Sequence, residues 1–256
     1  AVRAVWLTFG AVLTVLALFL AGGGMWAGFA RARPPTHQST RTIPFVGKKL
    51  QIEARGDVSV SIVPGAAGEI QLDQRLRWSE TRPNVSEDWN GTTLRLAADC
   101  PNINNDRRLT CDTDYTVFVP SETNLDATVE AGTLRVDSLY GDVRMTTVSG
   151  DIGVTQTVGT LWARSGSGNI RAFDLRGDTA DTETGEGQVE LNFRERPMNV
   201  KALVRTQGDI RINVEDGAYD VTVQAETPDV DVVHDPSSVR KIDARAQYGR
   251  VDICCG

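Results

Sequence analysis

Three carboxylates stand where a fixed spacing could bring them together. Asp142, Asp151 and Asp178 each follow a glycine, and Asn169 holds the same place after Gly168. If the glycines are corners of a coiled chain, these side chains form a column on coils stacked about 4.8 Å apart. Two carboxylates on neighbouring coils would then meet the separation of a glycosidase pair. The same pattern has a structural use, because Asp and Asn beside a corner bond local backbone amides, and that use is the expectation here. Other machinery is sparse. Of the two histidines, His37 lies in a Pro-rich stretch and His234 in an Asp-Val-Val-His-Asp-Pro turn, where it reads as an exposed turn residue. No Gly-x-Ser-x-Gly elbow, phosphate loop or paired His/Cys ligand set occurs. Calcium-binding nonapeptides need Gly-Gly-x-Gly-x-Asp, whereas each unit here has a single glycine. The sequence therefore predicts no catalytic residue, no cofactor and no metal.

The four cysteines carry a different chemistry. Cys100 and Cys111 enclose a polar loop, and a disulfide there would restrict the unfolded chain by about 3 kcal/mol. That pairing predicts an oxidising, extracytoplasmic location. Cys254 and Cys255 are adjacent near the end of the chain, and strand alternation places Cys255 inward with Val251 and Ile253.

The elements that must position these residues are set by a repeat. Gly132, Gly141, Gly150, Gly159, Gly168 and Gly177 recur every nine residues, each followed by a small polar residue and an apolar-x-apolar triplet. Apolar residues two apart, such as Val143/Met145 and Ile152/Val154, point to one face of a strand. Alternate units resemble each other most, so the natural coil has two strands and 18 to 21 residues, and Gly208, Gly217 and Gly249 continue the corners. A unit this small cannot bury its own apolar face and must stack on its neighbours. The expected fold is all-β, a flattened parallel β-helix over residues 125–256. One unit, 177–185, has polar residues at both inward positions, which reads as an imperfect repeat, through a slip of register or an outward-turned rung.

Upstream, residues 4–30 contain no charged residue, and Trp6 and Trp26 stand 20 residues apart, about 30 Å of helix. Tryptophans at both interfaces suit one transmembrane helix. A cleaved signal peptide is the competing reading, since Gly22-Gly-Gly24 weakens a helix and Gly28 and Ala30 could form a cleavage site. Residues 31–44, with Pro34, Pro35 and Pro44, read as an extended linker, and 45–124 as irregular strands capping the solenoid. The chain carries a net charge of −7 overall. The three arginines before residue 40 leave 24 Lys+Arg against 34 Asp+Glu beyond it. No basic stripe recommends nucleic acid.

Tyr115-Thr-Val-Phe-Val-Pro120, then Leu125-x-Ala-x-Val129 and the Gly-Thr-Leu-Arg-Val, Gly-Asp-Val-Arg-Met and Ser-Gly-Asp-Ile phrases, resemble the bacterial putative-adhesin family of β-solenoid repeat proteins, over about residues 50–253. The resemblance implies a β-solenoid on a bacterial envelope, behind a membrane segment. Together the residues and the resemblance predict a non-enzymatic, single-pass protein of the cell membrane whose extracytoplasmic solenoid binds a cell-wall glycan or an envelope protein. A regulatory partner of a membrane protein in envelope-stress signalling is the alternative, and a carbohydrate-active β-helix enzyme a third.

Overall fold

The structure is a computed structural model, and it describes residues 12–24, 35–79, 81–101 and 110–255. Residues 12–24 form a helix, α1, about 20 Å long at 1.5 Å per residue. Among the described residues no helix is long and apolar enough to cross a membrane. The expected transmembrane helix is therefore not part of the described fold, and the rest of 4–30, with Trp6 and Trp26, lies outside the described residues.

From residue 36 the regular elements among the described residues are all strands, because nearly every segment alternates inward apolar and outward polar residues. It enters at β1 (Thr36–Pro44) and lays down a rung from β2 (Lys49–Asp57) and β3 (Ser59–Pro64). It then moves outboard through β4 (Glu69–Trp78), β5 (Asn84–Trp89), β6 (Thr93–Asp99) and β7 (Cys111–Val119). Regular rungs follow: β8 (Asn124–Ala131) with β9 (Leu134–Asp137), β10 (Val143–Ser149) with β11 (Ile152–Thr155), and β12 (Leu161–Ser167) with β13 (Ile170–Leu175). They continue as β14 (Thr179–Glu186) with β15 (Val189–Phe193), and β16 (Asn199–Gln207) with β17 (Ile210–Val214). The last strands are β18 (Ala218–Gln224), β19 (Thr227–Val230), β20 (Val233–His234), β21 (Lys241–Tyr248) and β22 (Arg250–Cys255).

Two 11-stranded sheets result, one ordered β1-β4-β7-β3-β9-β11-β13-β15-β17-β22-β19 and the other β20-β18-β21-β16-β14-β12-β10-β8-β2-β6-β5. Pairing is parallel except at one end, where β1–β4, β4–β7 and β5–β6 are antiparallel. The stacking order departs from the chain order at both ends. The rung β6–β7 lies outboard of β2–β3, and β21–β22 slots between β16–β17 and β18–β19. The early strands β2–β3 and the last strand β22 thus lie in the interior of the stack.

This arrangement revises the expected boundaries. Residues 36–44 are not linker but the edge strand β1, paired antiparallel with β4; a Pro-bracketed extended segment fits either role. Within 45–124, β2 and β3 are rungs of the solenoid itself, paired with β8 and β9, and the closure consists of β1, β4 and β5. At the far end β19 reads Thr-Pro-Asp-Val, and its Pro228 and Asp229 blunt an otherwise open edge.

The core lies between the sheets. Leu134, Ile152, Ile170, Val189, Ile210 and Val251 form one buried row of the first sheet, facing small residues such as Ala127, Ala163, Ala202 and Ala244 of the second. The polar unit at 177–185 pairs with β12 and β16. Thr182 and Thr184 point inward, fully buried, and their hydroxyls donate to the carbonyls of Lys201 (3.2 Å) and Gly168 (2.8 Å). The unit carries a one-residue slip of register past Gly177: Ala180, not Thr179, stands opposite Leu161, so Thr179 and Asp181 turn outward and the inward hydroxyls are satisfied.

Candidate functional site

The corner glycines fall into two columns. Gly132, Gly150, Gly168, Gly208 and Gly249 lead into strands of the first sheet with positive φ, as does Gly187, and from Gly150 on each packs on the carbonyl of the glycine before it. Gly141, Gly159 and Gly177 form the second column, at the opposite edge. Gly217 belongs to neither: it lies in the β17–β18 connection beside the Arg196 side chain. The nine-residue period is thus two interleaved 18-residue series, and the longer last coils displaced the count.

The carboxylates divide with the glycines. Asp142 enters β10 of the second sheet and Asp151 enters β11 of the first, so they occupy opposite edges and not one column. Asp142 Oδ1 accepts the Thr160 N–H at 2.9 Å, and the Asp142 N–H donates to Asn124 Oδ1 at 2.9 Å. On the other edge Asp151 Oδ1 accepts the Asn169 N–H (2.8 Å), Asn169 Oδ1 the Gln188 N–H (3.0 Å), and Asp209 Oδ1 the Arg250 N–H (2.8 Å). Each corner side chain caps the amide that opens the next rung. Thr160 separates Asp142 from Asp178, whose backbone carbonyl accepts the Met198 and Asn199 N–H groups. The carboxylate pair that a glycosidase reading required is therefore not assembled by these residues.

The remaining sequence candidates are scattered. His37 lies in β1, and His234 is exposed on β20, where its Nδ1 accepts the Val221 N–H at 3.2 Å. Among the described residues no group of His, Cys, Asp and Glu could hold a metal ion. Cys100 and Cys111 are joined in a disulfide with Cα atoms 6.2 Å apart, tying the end of β6 to the start of β7. Cys254 and Cys255 are free thiols. Cys255 is exposed rather than inward, because β22 has outrun the core there; a hydrogen bond with Asp216 and loss of solvent hold its thiol up at about 11.

What sequence reasoning missed is a trough on the outer face of the first sheet. Parallel register brings Thr116, Ser61, Arg135, Gly153 and Arg171 into one row across β7, β3, β9, β11 and β13. A second row on the same face holds Asp137, Thr155 and Phe173, with Phe118 at the β7 end. Gly153 has no side chain to fill the surface, and Arg135 lies alongside it. Two hollows, of about 390 and 430 Å³, meet at Arg135. Its guanidinium has no carboxylate partner among the described residues, while Arg171 lies 3.8 Å from Asp151. Arg135, Gly153 and Arg171 follow the 18-residue repeat, but the rung of Arg135 lies next to β3 in space and distant in sequence, so only the stacking order adds Ser61 and Thr116 to the row.

A family model for Toastrack DUF4097 matches residues 48–254, the span from β2 to the last strand. The chain belongs to the Toastrack DUF4097 family. Solved structures similar to this Toastrack chain include a putative cell adhesion protein from Clostridium sporogenes, at 9% identity and TM-score 0.39, covering 87% of this chain and 100% of that one. A putative adhesin from Bacteroides fragilis matches at 14% identity and TM-score 0.38, covering 88% and 99%. A putative lipid binding protein from Parabacteroides distasonis matches at 14% and 0.36, covering 86% and 97%. No curated protein matches the chain.

Proposed function

We propose that this Toastrack protein is a non-enzymatic binding module of the bacterial envelope, held at a membrane through residues 4–30 and engaging a glycan or an envelope protein through the flank of its solenoid. The observation that carries the reading is the use made of the corner carboxylates: Asp142, Asp151 and Asp209 are committed to capping backbone amides, while the long outer sheet faces stay open. A long stacked face suits an extended ligand. The Cys100–Cys111 disulfide supports an extracytoplasmic β domain, and the charge-free run around α1 supports the anchor. The test is to incubate the full chain, produced under oxidising conditions, with isolated cell wall and with solubilised membranes. Saturable capture by the wall is the expected result. Enrichment of a single membrane protein instead would favour a regulatory role, and binding to neither would overturn the proposal.

A further inference from the structure

Of the surfaces this fold offers, one has the chemistry of a particular ligand. We propose that the trough between β7 and β13 on the first sheet binds a neutral, linear glycan lying along the stacking axis, across the strands. The inference rests on the binding role proposed above and narrows it to one face and one ligand class.

Shape comes first. The five strands span four spacings of about 4.8 Å, so the trough is about 19 Å long, enough for several sugar rings. Its floor is made of the short residues Ser61, Gly153, Thr155 and Thr116. The long side chain of Arg135 rises from the same row between the two hollows, and that of Arg171 stands at the β13 end. Phe118 and Phe173 stand toward opposite ends, and Phe173 is 38% exposed.

Charge then narrows the ligand. Arg75, Arg135 and Arg171 line the two hollows together with Asp73, Asp114, Asp137 and Asp151. That near balance provides no net field to draw an anion. It does provide donors and acceptors in alternation, which is what a chain of hydroxyls requires, since each hydroxyl both donates and accepts. Arg135 has its guanidinium donors uncommitted, and an exposed aromatic face accommodates the C–H face of a sugar ring. Apolar area is too small for a protein interface core, which needs several packed anchors. A third hollow, of about 480 Å³ near β22, differs on each point: Glu190, Asp209, Glu226 and Asp252 outnumber Arg211 and Arg250, and no aromatic lines it.

The test is calorimetric titration of the full chain with two neutral probes, the linear hexamers of N-acetylglucosamine and of β-linked glucose, and with one anionic probe, oligogalacturonate. Saturable binding of a neutral hexamer is expected, weakened about tenfold or more by Arg135→Ala or by Phe173→Ala and abolished by Gly153→Val, which fills the floor. Arg245→Ala, on the opposite sheet, should leave it unchanged, and thermal melting of each variant checks the fold. No binding of either neutral hexamer overturns the proposal, as does preference for the anionic probe with strong salt dependence, or binding indifferent to all three trough variants. Cell-wall capture separates the two levels: if Gly153→Val sediments with the wall as well as the unmodified chain does, the trough assignment fails and the broader binding role stands.

Discussion

At the scale of single residues, the corners are the least tolerant places in the molecule. Gly150 combines φ of +150° with a backbone carbonyl, that of Gly132, lying where a β-carbon would go. Neither the strain nor the overlap can be relieved without separating two rungs. Gly150→Ala is therefore expected to cost about 3 kcal/mol or more, read from urea unfolding. Gly153→Ala is the control, because its new methyl would meet only the flexible stem of Arg135, at 3.4 Å, and should cost well under about 1 kcal/mol. The corner acids permit a finer test. Asp142→Asn keeps the oxygen that accepts the Thr160 N–H and should be close to neutral, whereas Asp142→Ala leaves that amide without its partner, at about 1 kcal/mol. Equal losses for the two substitutions would show that charge, not capping, is what Asp142 supplies. This much was legible in the sequence, because a corner's needs are local: a positive φ, and an acceptor one residue on.

At the scale of elements, the strands themselves could be read from alternation, but their order in the stack could not. The pattern of β22 (Arg250–Cys255) is that of any inward-alternating strand, and nothing in it records that β19 lies beyond it rather than before it. The same blindness hid one end of the trough, where the row joins Ser61 to Arg135 across rungs that only the fold makes neighbours, although Arg135, Gly153 and Arg171 are spaced as the repeat spaces them. It also hid the partners of Thr182 and Thr184, whose acceptor carbonyls belong to other turns of the chain. The inserted order has a measurable consequence. A terminal strand ordinarily frays, yet β22 is flanked on both sides, by β17 and by β19, while β19 is paired on one side only. Amides of Val251–Ile253 are accordingly expected to exchange with deuterium about tenfold or more slowly than those of Asp229 and Val230. Faster exchange in β22 than in β19 would mean that the outboard excursion does not stay docked in solution.

For the whole molecule, stability rests on closing the ends of a quasi-one-dimensional stack, and one end does so with a buried phenol. Tyr115 of β7 is almost fully enclosed, and the buried Gln74 amide donates to its hydroxyl at 2.7 Å and to Glu87 of the opposite sheet at 2.9 Å. Burial holds the Tyr115 proton well above its ordinary value of 10.0. Burial likewise raises Tyr219, although Arg240 and Arg196 oppose it. The unfolded chain therefore gives up these protons first. Their contribution to stability is complete below pH 10 and declines as pH rises from there through the folded values. Melting temperature should thus fall steeply above pH 10. Tyr115→Phe loses the Gln74 bond and should be less stable at pH 8 by about 1 kcal/mol, but it has no phenol to ionise, so the gap between variant and parent should narrow from pH 10 to 11.5. A gap that stays constant over that range would remove Tyr115 as the alkaline weak point and leave the corners, not the closure, as the place where the stack first opens.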